Sequence, residues 1–179
     1  MTDDESRGEP AIDRFTVTRR HLPHWQSPGA YHYLTLVLAD RRICDLTRPR
    51  LARIVVGALH HFHGERYALD EYTVMPDHVH LVLQPLRSGN GWVPLRRITH
   101  SLKSWTANQI NRVLGRGGQL WEDESYDHVI RGGDDFREIV SYIRHNPVEA
   151  GLIERAETWP WLGWGDGPCA GLADKQSGT

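Results

Sequence analysis

Apolar residues recur along the chain with two different spacings, and these separate predicted strands from predicted helices. Short runs rich in aromatic and β-branched residues are typical of strands. They predict strands at residues 31–38, 67–75 and 79–83, and a short strand or turn at 126–131. Apolar side chains three or four positions apart share one helix face and predict helices over residues 48–63, 95–114 and 134–146. The middle helix is expected to bury Leu95, Ile98, Leu102, Trp105 and Val113.

The order of these elements predicts the fold class. The short connection at Pro76-Asp77 is expected to join the second and third strands as an antiparallel hairpin. Residues 86–94 are expected to form a loop, and Pro147 to begin a new helical turn after the last helix. The order β-α-β-β-α-β-α favours an α+β two-layer sandwich, in which helices pack on a mainly antiparallel central sheet. We expect one domain over residues 14–165, between disordered tails at 1–13 and 166–179.

Charge is distributed unevenly along the 179 residues, although the net charge is only −2. Residues 14–116 hold 15 Lys or Arg against 6 Asp or Glu, whereas residues 117–155 hold 4 against 9. A body rich in arginine favours phosphate contact, because planar guanidinium groups bind phosphate through paired hydrogen bonds, although an ordinary mixed surface is the alternative. The two cysteines are far apart, no apolar run is long enough to span a membrane, and the N-terminus is unlike a secretory signal. We therefore expect a cytoplasmic protein without a membrane partner.

Two histidines lie at the start of the third predicted strand, in Met75-Pro76-Asp77-His78-Val79-His80. Successive side chains on a strand point to opposite faces, so His78 and His80 are expected to share one face while Val79 faces the other way. Two imidazoles on one face can bind a single metal ion, although surface or hydrogen-bonded histidines are the alternative. Such a pair needs further ligands or substrate oxygens to complete the coordination sphere.

A tyrosine and an asparagine lie one turn apart on the last predicted helix. At about 100° per residue, Tyr142 and Asn146 are on one flank of its apolar stripe. An amide oxygen can bind a hard divalent cation, although Asn146 before Pro147 could instead end the helix. Tyr142 could equally be an ordinary tyrosine at the edge of the core.

Five motifs together resemble those of a known family. They are Met-Pro-x-His-Val-His at 75–80, Leu-Lys-Ser at 102–104, Leu-Trp at 120–121, Tyr-Asp-His-Val-Ile-Arg at 126–131 and Tyr-Ile-x-x-Asn-Pro-Val-x-Ala-Gly-Leu at 142–152. In this order they resemble the single-tyrosine transposases of the HUH endonuclease superfamily, where H-U-H stands for His-hydrophobic-His. The similarity is greatest to the REP-associated tyrosine transposases of bacteria and extends over residues 15–164.

The resemblance implies a fold, a role for each site residue and a reaction. The fold would be the ferredoxin-like palm of HUH enzymes. His78 and His80 match the metal ligands, Tyr142 matches the nucleophile, and Asn146 matches a third ligand that is Gln in some members. The family cleaves single-stranded DNA beside palindromic hairpins, using Mg²⁺ or Mn²⁺ and a 5′-phosphotyrosine intermediate, and can rejoin strands. Two imidazole ligands suggest that Mn²⁺ works at least as well as Mg²⁺.

The residues that would contact DNA are identified less directly than the metal ligands. Candidates for phosphate contact are Arg19, Arg20, Arg96, Arg97, Lys103 and Arg112. Lys103 is on the helix that runs close to DNA in the family, and the N-terminal arginines are in a segment that in REP-associated members helps to read a tetranucleotide beside the hairpin. The partner would be single-stranded DNA with hairpin repeats. The chain could be a monomer, as REP-associated members tend to be, or a homodimer, as their insertion-sequence relatives are.

Several other residues have a competing interpretation. Tyr126 is a rival nucleophile without a ligand one turn away, and we interpret it as structural. His128 and His145 are candidate general bases by residue type only. Trp121 is expected in the core, and the other tryptophans of residues 158–164 are expected to pack on the sheet. Two further functions remain open: a domesticated hairpin-binding protein without transposition activity, and a metallohydrolase that uses water as its nucleophile.

Overall fold

Five antiparallel strands form the central sheet of the protein, whose computed structural model describes residues 29–89 and 91–165. In chain order the strands are β1 (His32–Val37), β2 (Tyr67–Val74), β3 (His78–Pro85), β4 (Arg87–Ser88), β5 (Gly91–Trp92), β6 (Tyr126–Val129) and β7 (Leu162–Trp164). The sheet has the order β6-β1-β3-β2-β7, while β4 and β5 form a separate two-stranded hairpin. The predicted hairpin of β2 and β3 is confirmed. The predicted loop at 86–94 contains the small β4–β5 hairpin, and the predicted tails lie outside the described residues.

Within the described residues, three α-helices accompany the sheet, close to their predicted positions. They are α1 (Pro49–His61), α2 (Leu95–Leu114) and α3 (Gly133–Glu149). Gly115 ends α2 with a positive φ of 63°, a conformation that glycine adopts at little cost. The prediction that the last helix stops at residue 146 is wrong, because α3 continues through Pro147 to Glu149. A proline removes one helical hydrogen bond, but Pro147 lies in the last turn and its ring is buried, which offsets that loss.

The two faces of the sheet are covered to different extents. Leu34, Leu36 and Leu81 lie in the main core with the apolar faces of α1 and α2. The opposite face carries a second, small cluster in which Val82 of β3 packs with Ile143 of α3. The expected α+β class with an antiparallel sheet is confirmed, and α3 lies on the thinly covered face. That face therefore leaves room for polar side chains beside α3.

Two predictions about tryptophans are wrong. Trp105 is 48% exposed, whereas Thr106 and Ile110 are buried, because the buried stripe of α2 continues from Leu102 in steps of four residues. Trp164 is 44% exposed on the edge strand β7. This strand has only three residues, too few to be predicted from the sequence pattern. Trp121, Trp159 and Trp161 are buried as expected. None of the helices in the described parts of the chain is long and apolar enough to cross a membrane.

Candidate functional site

His78 and His80 meet on the sheet face that carries α3. Their Nε2 atoms are 3.0 Å apart, while Val79 between them is fully buried in the main core. The alternation predicted from the sequence is therefore confirmed. Two nitrogens bound to one ion at about 2.1 Å each, at right angles to one another, would be about 3.0 Å apart. The spacing of the two imidazoles thus fits a shared metal ion.

The other ring nitrogen of each histidine has a polar partner. His78 Nδ1 is 2.6 Å from Asp77 Oδ1, and the same carboxylate pairs with Arg41. A carboxylate only accepts hydrogen bonds, so neutral His78 carries its proton on Nδ1 and keeps a lone pair on Nε2. His80 Nδ1 lies 2.8 Å from the Tyr33 hydroxyl and 3.0 Å from the Thr35 hydroxyl. Metal-binding histidines usually have such partners, which fix the ring and its tautomer.

Burial keeps the His80 ring neutral. The side chain is 5% exposed, and this desolvation, with the nearby His78, lowers the pKa of His80 to about 3. A neutral imidazole has a free lone pair and is the form that binds metal. The environment of His80 therefore suits a ligand rather than a proton carrier.

Tyr142 lies on α3 beside these imidazoles. Its ring centroid is 5.4 Å from that of His80 and 6.4 Å from that of Tyr33. Tyr142 is 39% exposed, so the residue is accessible to a substrate. Burial of part of the ring raises the pKa of the phenol, Glu149 raises that pKa further, and a hydrogen bond from Asn146 lowers it. Tyr142 and Asn146 are thus one turn apart on α3, as predicted, and the Asn146 side chain influences the pKa of the phenol.

Asn146 also lines an open cleft together with His78. The cleft measures about 570 Å³ and lies between the β2–β3 turn and the end of α3. Asp77 lines the same cleft, as does the partly buried Cys44. The structure therefore brings His78, His80, Tyr142 and Asn146 to one place, although residues 78 and 146 are far apart in the sequence.

The residues at this place fit a hard divalent ion that is only partly coordinated by protein. Among residues 29–89 and 91–165, no group of three or more His, Cys, Asp or Glu side chains is arranged to hold a metal. The donors are thus two imidazoles and one amide, and water or phosphate oxygens would complete the sphere. This composition suits Mg²⁺ or Mn²⁺ acting on a phosphate better than a closed structural site.

The candidate DNA contacts are dispersed. Arg96, Arg97 and Arg112 are exposed on α2, whereas Arg19 and Arg20 lie outside the described residues. Lys103 is partly buried, and its Nζ donates hydrogen bonds to the backbone carbonyls of Glu122 at 2.8 Å and Asp123 at 3.1 Å. Burial lowers the pKa of Lys103. In this conformation the hydrogen bonds of Lys103 connect α2 to the segment before β6.

The two candidate bases have partners other than Tyr142. His128 Nε2 lies 3.1 Å from Asp135 Oδ2, and His145 Nδ1 is 2.8 Å from the carbonyl oxygen of Ser141. Tyr126, the rival nucleophile, is 46% exposed and packs its ring against Tyr33 at 5.9 Å. None of these contacts assigns a proton acceptor for Tyr142.

Three side chains of the site were not singled out from the sequence. Tyr33 and Thr35 are on β1 and reach His80 only through sheet register, in which Thr35 lies opposite His80. Such a contact requires the pairing of β1 with β3. Asp77 is within the quoted motif, and its position directly before His78 could have indicated that its carboxylate pairs with that imidazole.

Comparison with known proteins identifies the family of this chain. Residues 30–146 match the model of the IS200-like transposase family. The chain belongs to this family. It is similar to a protein of Haemophilus influenzae assigned as a REP-associated tyrosine transposase, with 27% identity over 144 residues, which cover 74% of this chain and 78% of that protein. It is also similar to the REP-associated tyrosine transposase of Escherichia coli K12, with 24% identity over 97 residues, 53% of each chain.

A solved structure shares the fold. The structure of a REP-associated tyrosine transposase bound to a REP hairpin superposes with a TM-score of 0.66 and 21% identity, covering 80% of this chain and 81% of that one. The family resemblance predicted from the motifs is thereby confirmed, as is the fold that it implied.

Proposed function

We propose that this chain is a single-strand DNA endonuclease and strand-transferase that cuts beside hairpin-forming palindromic repeats. The observation that carries the proposal is the grouping of four side chains: His78 and Asn146 line one cleft, His80 lies 3.0 Å from His78, and the partly exposed Tyr142 packs against His80. The structural neighbour bound to a REP hairpin supports hairpin DNA as the partner class.

Tyr142 acts as the nucleophile in this proposal. Its phenolic oxygen attacks the scissile phosphorus, and the bond from phosphorus to the 3′ oxygen breaks. The phenol gives up its proton, the leaving oxygen takes one up as a free 3′-hydroxyl, and a 5′-phosphotyrosine forms. Because the phosphate ester is conserved in this link, a 3′-hydroxyl can later attack it, release Tyr142 and join two strands.

The other site residues hold and orient the reacting groups. His78, His80 and Asn146 would bind Mg²⁺ or Mn²⁺, which when bound neutralises and orients the phosphate. Asp77, Tyr33 and Thr35 hold the two imidazoles. Asn146 is one helical turn from Tyr142 and its side chain lowers the pKa of the phenol, so one side chain can link the metal position to the nucleophile.

A covalent-adduct assay tests the proposal. The protein is incubated with Mn²⁺ and labelled single-stranded hairpin oligonucleotides from the DNA beside its gene, then run on a denaturing gel. We expect an adduct that chelator prevents and that Tyr142→Phe reduces by at least ~10³-fold, because the nucleophilic oxygen is lost. Tyr126→Phe is the matched control, because it removes a nearby exposed phenol and should leave the adduct intact.

The alternatives give different results in the same assay. Hairpin binding without an adduct would indicate a domesticated binding protein. Cleavage that persists in Tyr142→Phe would indicate hydrolysis by water and would disprove the tyrosine mechanism.

A further inference from the structure

Tyr33 contacts both a candidate metal ligand, His80, and the candidate nucleophile, Tyr142. Its hydroxyl lies 2.8 Å from Nδ1 of His80, and its ring meets the ring of Tyr142 edge-on at 6.4 Å and an interplanar angle of 89°. The ring is also 5.5 Å from that of His80. Tyr33 is on β1, between β6 and β3, so its backbone is held on both sides by sheet hydrogen bonds. No other described side chain has ring contacts with both His80 and Tyr142 and a hydrogen bond to either.

The hydroxyl of Tyr33 can set which nitrogen of His80 is free. A hydroxyl oxygen accepts hydrogen bonds, so it can stabilise the tautomer in which Nδ1 of His80 carries the proton. When Nδ1 of His80 donates to Tyr33, Nε2 keeps its lone pair and faces Nε2 of His78 at 3.0 Å. Two facing lone pairs repel each other unless a cation lies between them. The hydroxyl thus makes the metal-binding tautomer of the buried His80 available.

Thr35 supports the same arrangement. Its hydroxyl lies 3.0 Å from Nδ1 of His80 and donates to the Tyr33 hydroxyl at 3.3 Å. The three groups form a closed triangle on the sheet. Removal of the Tyr33 hydroxyl leaves Thr35 as the one remaining partner of His80 Nδ1. The His80 ring is then less firmly oriented, but its buried Nδ1 keeps a hydrogen-bond partner.

The ring of Tyr33 has a separate effect on the nucleophile. Tyr142 projects from a helix with little apolar cover, and its ring packs against Tyr33 and His80. Edge-to-face contacts between aromatic rings are favourable and restrict ring orientation. Tyr33 is therefore the fixed surface against which Tyr142 is oriented.

We propose that Tyr33 is a positioning residue with two separable actions: its hydroxyl holds His80 in the metal-binding tautomer, and its ring orients Tyr142. This inference rests on the proposed function, because it assumes that His80 is a ligand and Tyr142 the nucleophile. It predicts that metal affinity and strand cleavage depend on different parts of one side chain.

Two substitutions separate the actions. Tyr33→Phe removes the hydroxyl and keeps the ring, whereas Tyr33→Leu removes both. Tyr31→Phe is the matched control, because Tyr31 is next to the same strand, and its ring packs on Phe136 at 5.2 Å. Mn²⁺ affinity is measured without DNA by electron paramagnetic resonance, and adduct formation is measured at saturating Mn²⁺.

We expect Tyr33→Phe to weaken Mn²⁺ binding about 10–100-fold, the range found for such partners of metal ligands. Saturating Mn²⁺ should then restore adduct formation in Tyr33→Phe but not in Tyr33→Leu. Tyr31→Phe should match the wild type in both measurements. Equal Mn²⁺ affinity in wild type and Tyr33→Phe would overturn the action of the hydroxyl, and restored activity in Tyr33→Leu would overturn that of the ring.

A measurement on the unaltered protein keeps the inference testable if a variant fails to fold. Nitrogen-15 spectra of histidine side chains distinguish the two tautomers, and Mg²⁺ is used because it is diamagnetic. We expect His80 to carry its proton on Nδ1 when Mg²⁺ is bound, and the opposite tautomer would overturn the inference. If the wild type binds neither Mn²⁺ nor Mg²⁺, the proposed metal-dependent function fails, whereas loss of the Tyr33 effect alone leaves that function intact.

Discussion

Asn146 offers two different groups at one position. Its carbonyl oxygen can bind a cation, and its amide N–H can donate to the phenolic oxygen of Tyr142, whose pKa the Asn146 side chain lowers. Aspartate retains the oxygen but loses the donor. The two roles of Asn146 can therefore be separated by a change of a single group.

For Asn146→Asp we expect Mn²⁺ binding to be retained or strengthened, because a carboxylate is the stronger ligand. Adduct formation at saturating Mn²⁺ should fall about 10–100-fold, since a hydrogen bond to a group that becomes charged contributes about 1.5–3 kcal/mol. Asn146→Gln keeps both groups and is the control. Loss of Mn²⁺ binding in Asn146→Asp, or an unchanged adduct rate, would contradict this assignment.

At the level of single residues, the sequence predicted contacts that depend on local geometry. The alternation of a strand places His78 and His80 together, and one helical turn joins Tyr142 to Asn146. Tyr33 and Thr35 could not be predicted in this way. Their contact with His80 depends on the register of β1 against β3, which the apolar pattern of each strand alone does not fix.

Among the elements, α3 carries the nucleophile yet has few buried side chains. Ile143 and Pro147 are its buried residues, and an ion pair joins Arg144 to Glu71 of β2 at 2.8 Å. Glu71 is 2% exposed and Arg144 forms two hydrogen bonds with its carboxylate. A buried carboxylate that loses its partner is costly, so this pair fixes the position of α3 on the sheet.

We expect Arg144→Met to lower the free energy of unfolding by about 1–3 kcal/mol, because it leaves the Glu71 carboxylate buried and unpaired. Urea unfolding measures the loss, and adduct formation should fall as well. Glu71→Gln combined with Arg144→Met should recover part of the stability. Arg137→Met is the control, because its pair with Asp134 on the same helix is exposed and should contribute less than about 1 kcal/mol. Equal losses for the two arginines would show that the buried pair does not hold α3.

Long elements were predicted from the sequence more reliably than short ones. The apolar spacing of α2 predicted its bounds, yet misplaced Trp105, because a large aromatic residue next to the stripe was taken as part of it. The strand β7 has three residues, too few for a periodic pattern, and it forms only by pairing with β2. Elements that exist through tertiary pairing have little local signal.

In the whole molecule, the main core and the candidate site lie on opposite faces of the sheet. The main core lies between the sheet and the helices α1 and α2, whereas the candidate site lies on the face with α3. His32 is an exception to the apolar character of the main face. It is 2% exposed, and its Nδ1 has no hydrogen-bond partner among the described residues.

His32 makes the stability of the fold sensitive to acid. Burial lowers the pKa of His32 below the ordinary value of a histidine, while Asp127 on the adjacent strand raises it and His128 lowers it. Above pH 6.5 the ring is neutral in both the folded and the unfolded states, so it contributes no pH dependence. As the pH falls below 6.5 the unfolded chain binds a proton that the folded protein resists, and the free energy of unfolding decreases.

We therefore expect His32→Leu to lose less stability than the wild type between pH 7.5 and pH 5, by at most about 2 kcal/mol, since each pKa unit corresponds to about 1.4 kcal/mol. Urea unfolding without metal at the two pH values gives this difference directly. At pH 7.5 the variant should be similar in stability or more stable, because an apolar side chain replaces a buried unpaired nitrogen. His100→Leu, which removes an exposed imidazole from α2, controls for the loss of a histidine as such. Equal losses in wild type and His32→Leu would show that the acid sensitivity arises elsewhere, and the main face would then tolerate a charged His32.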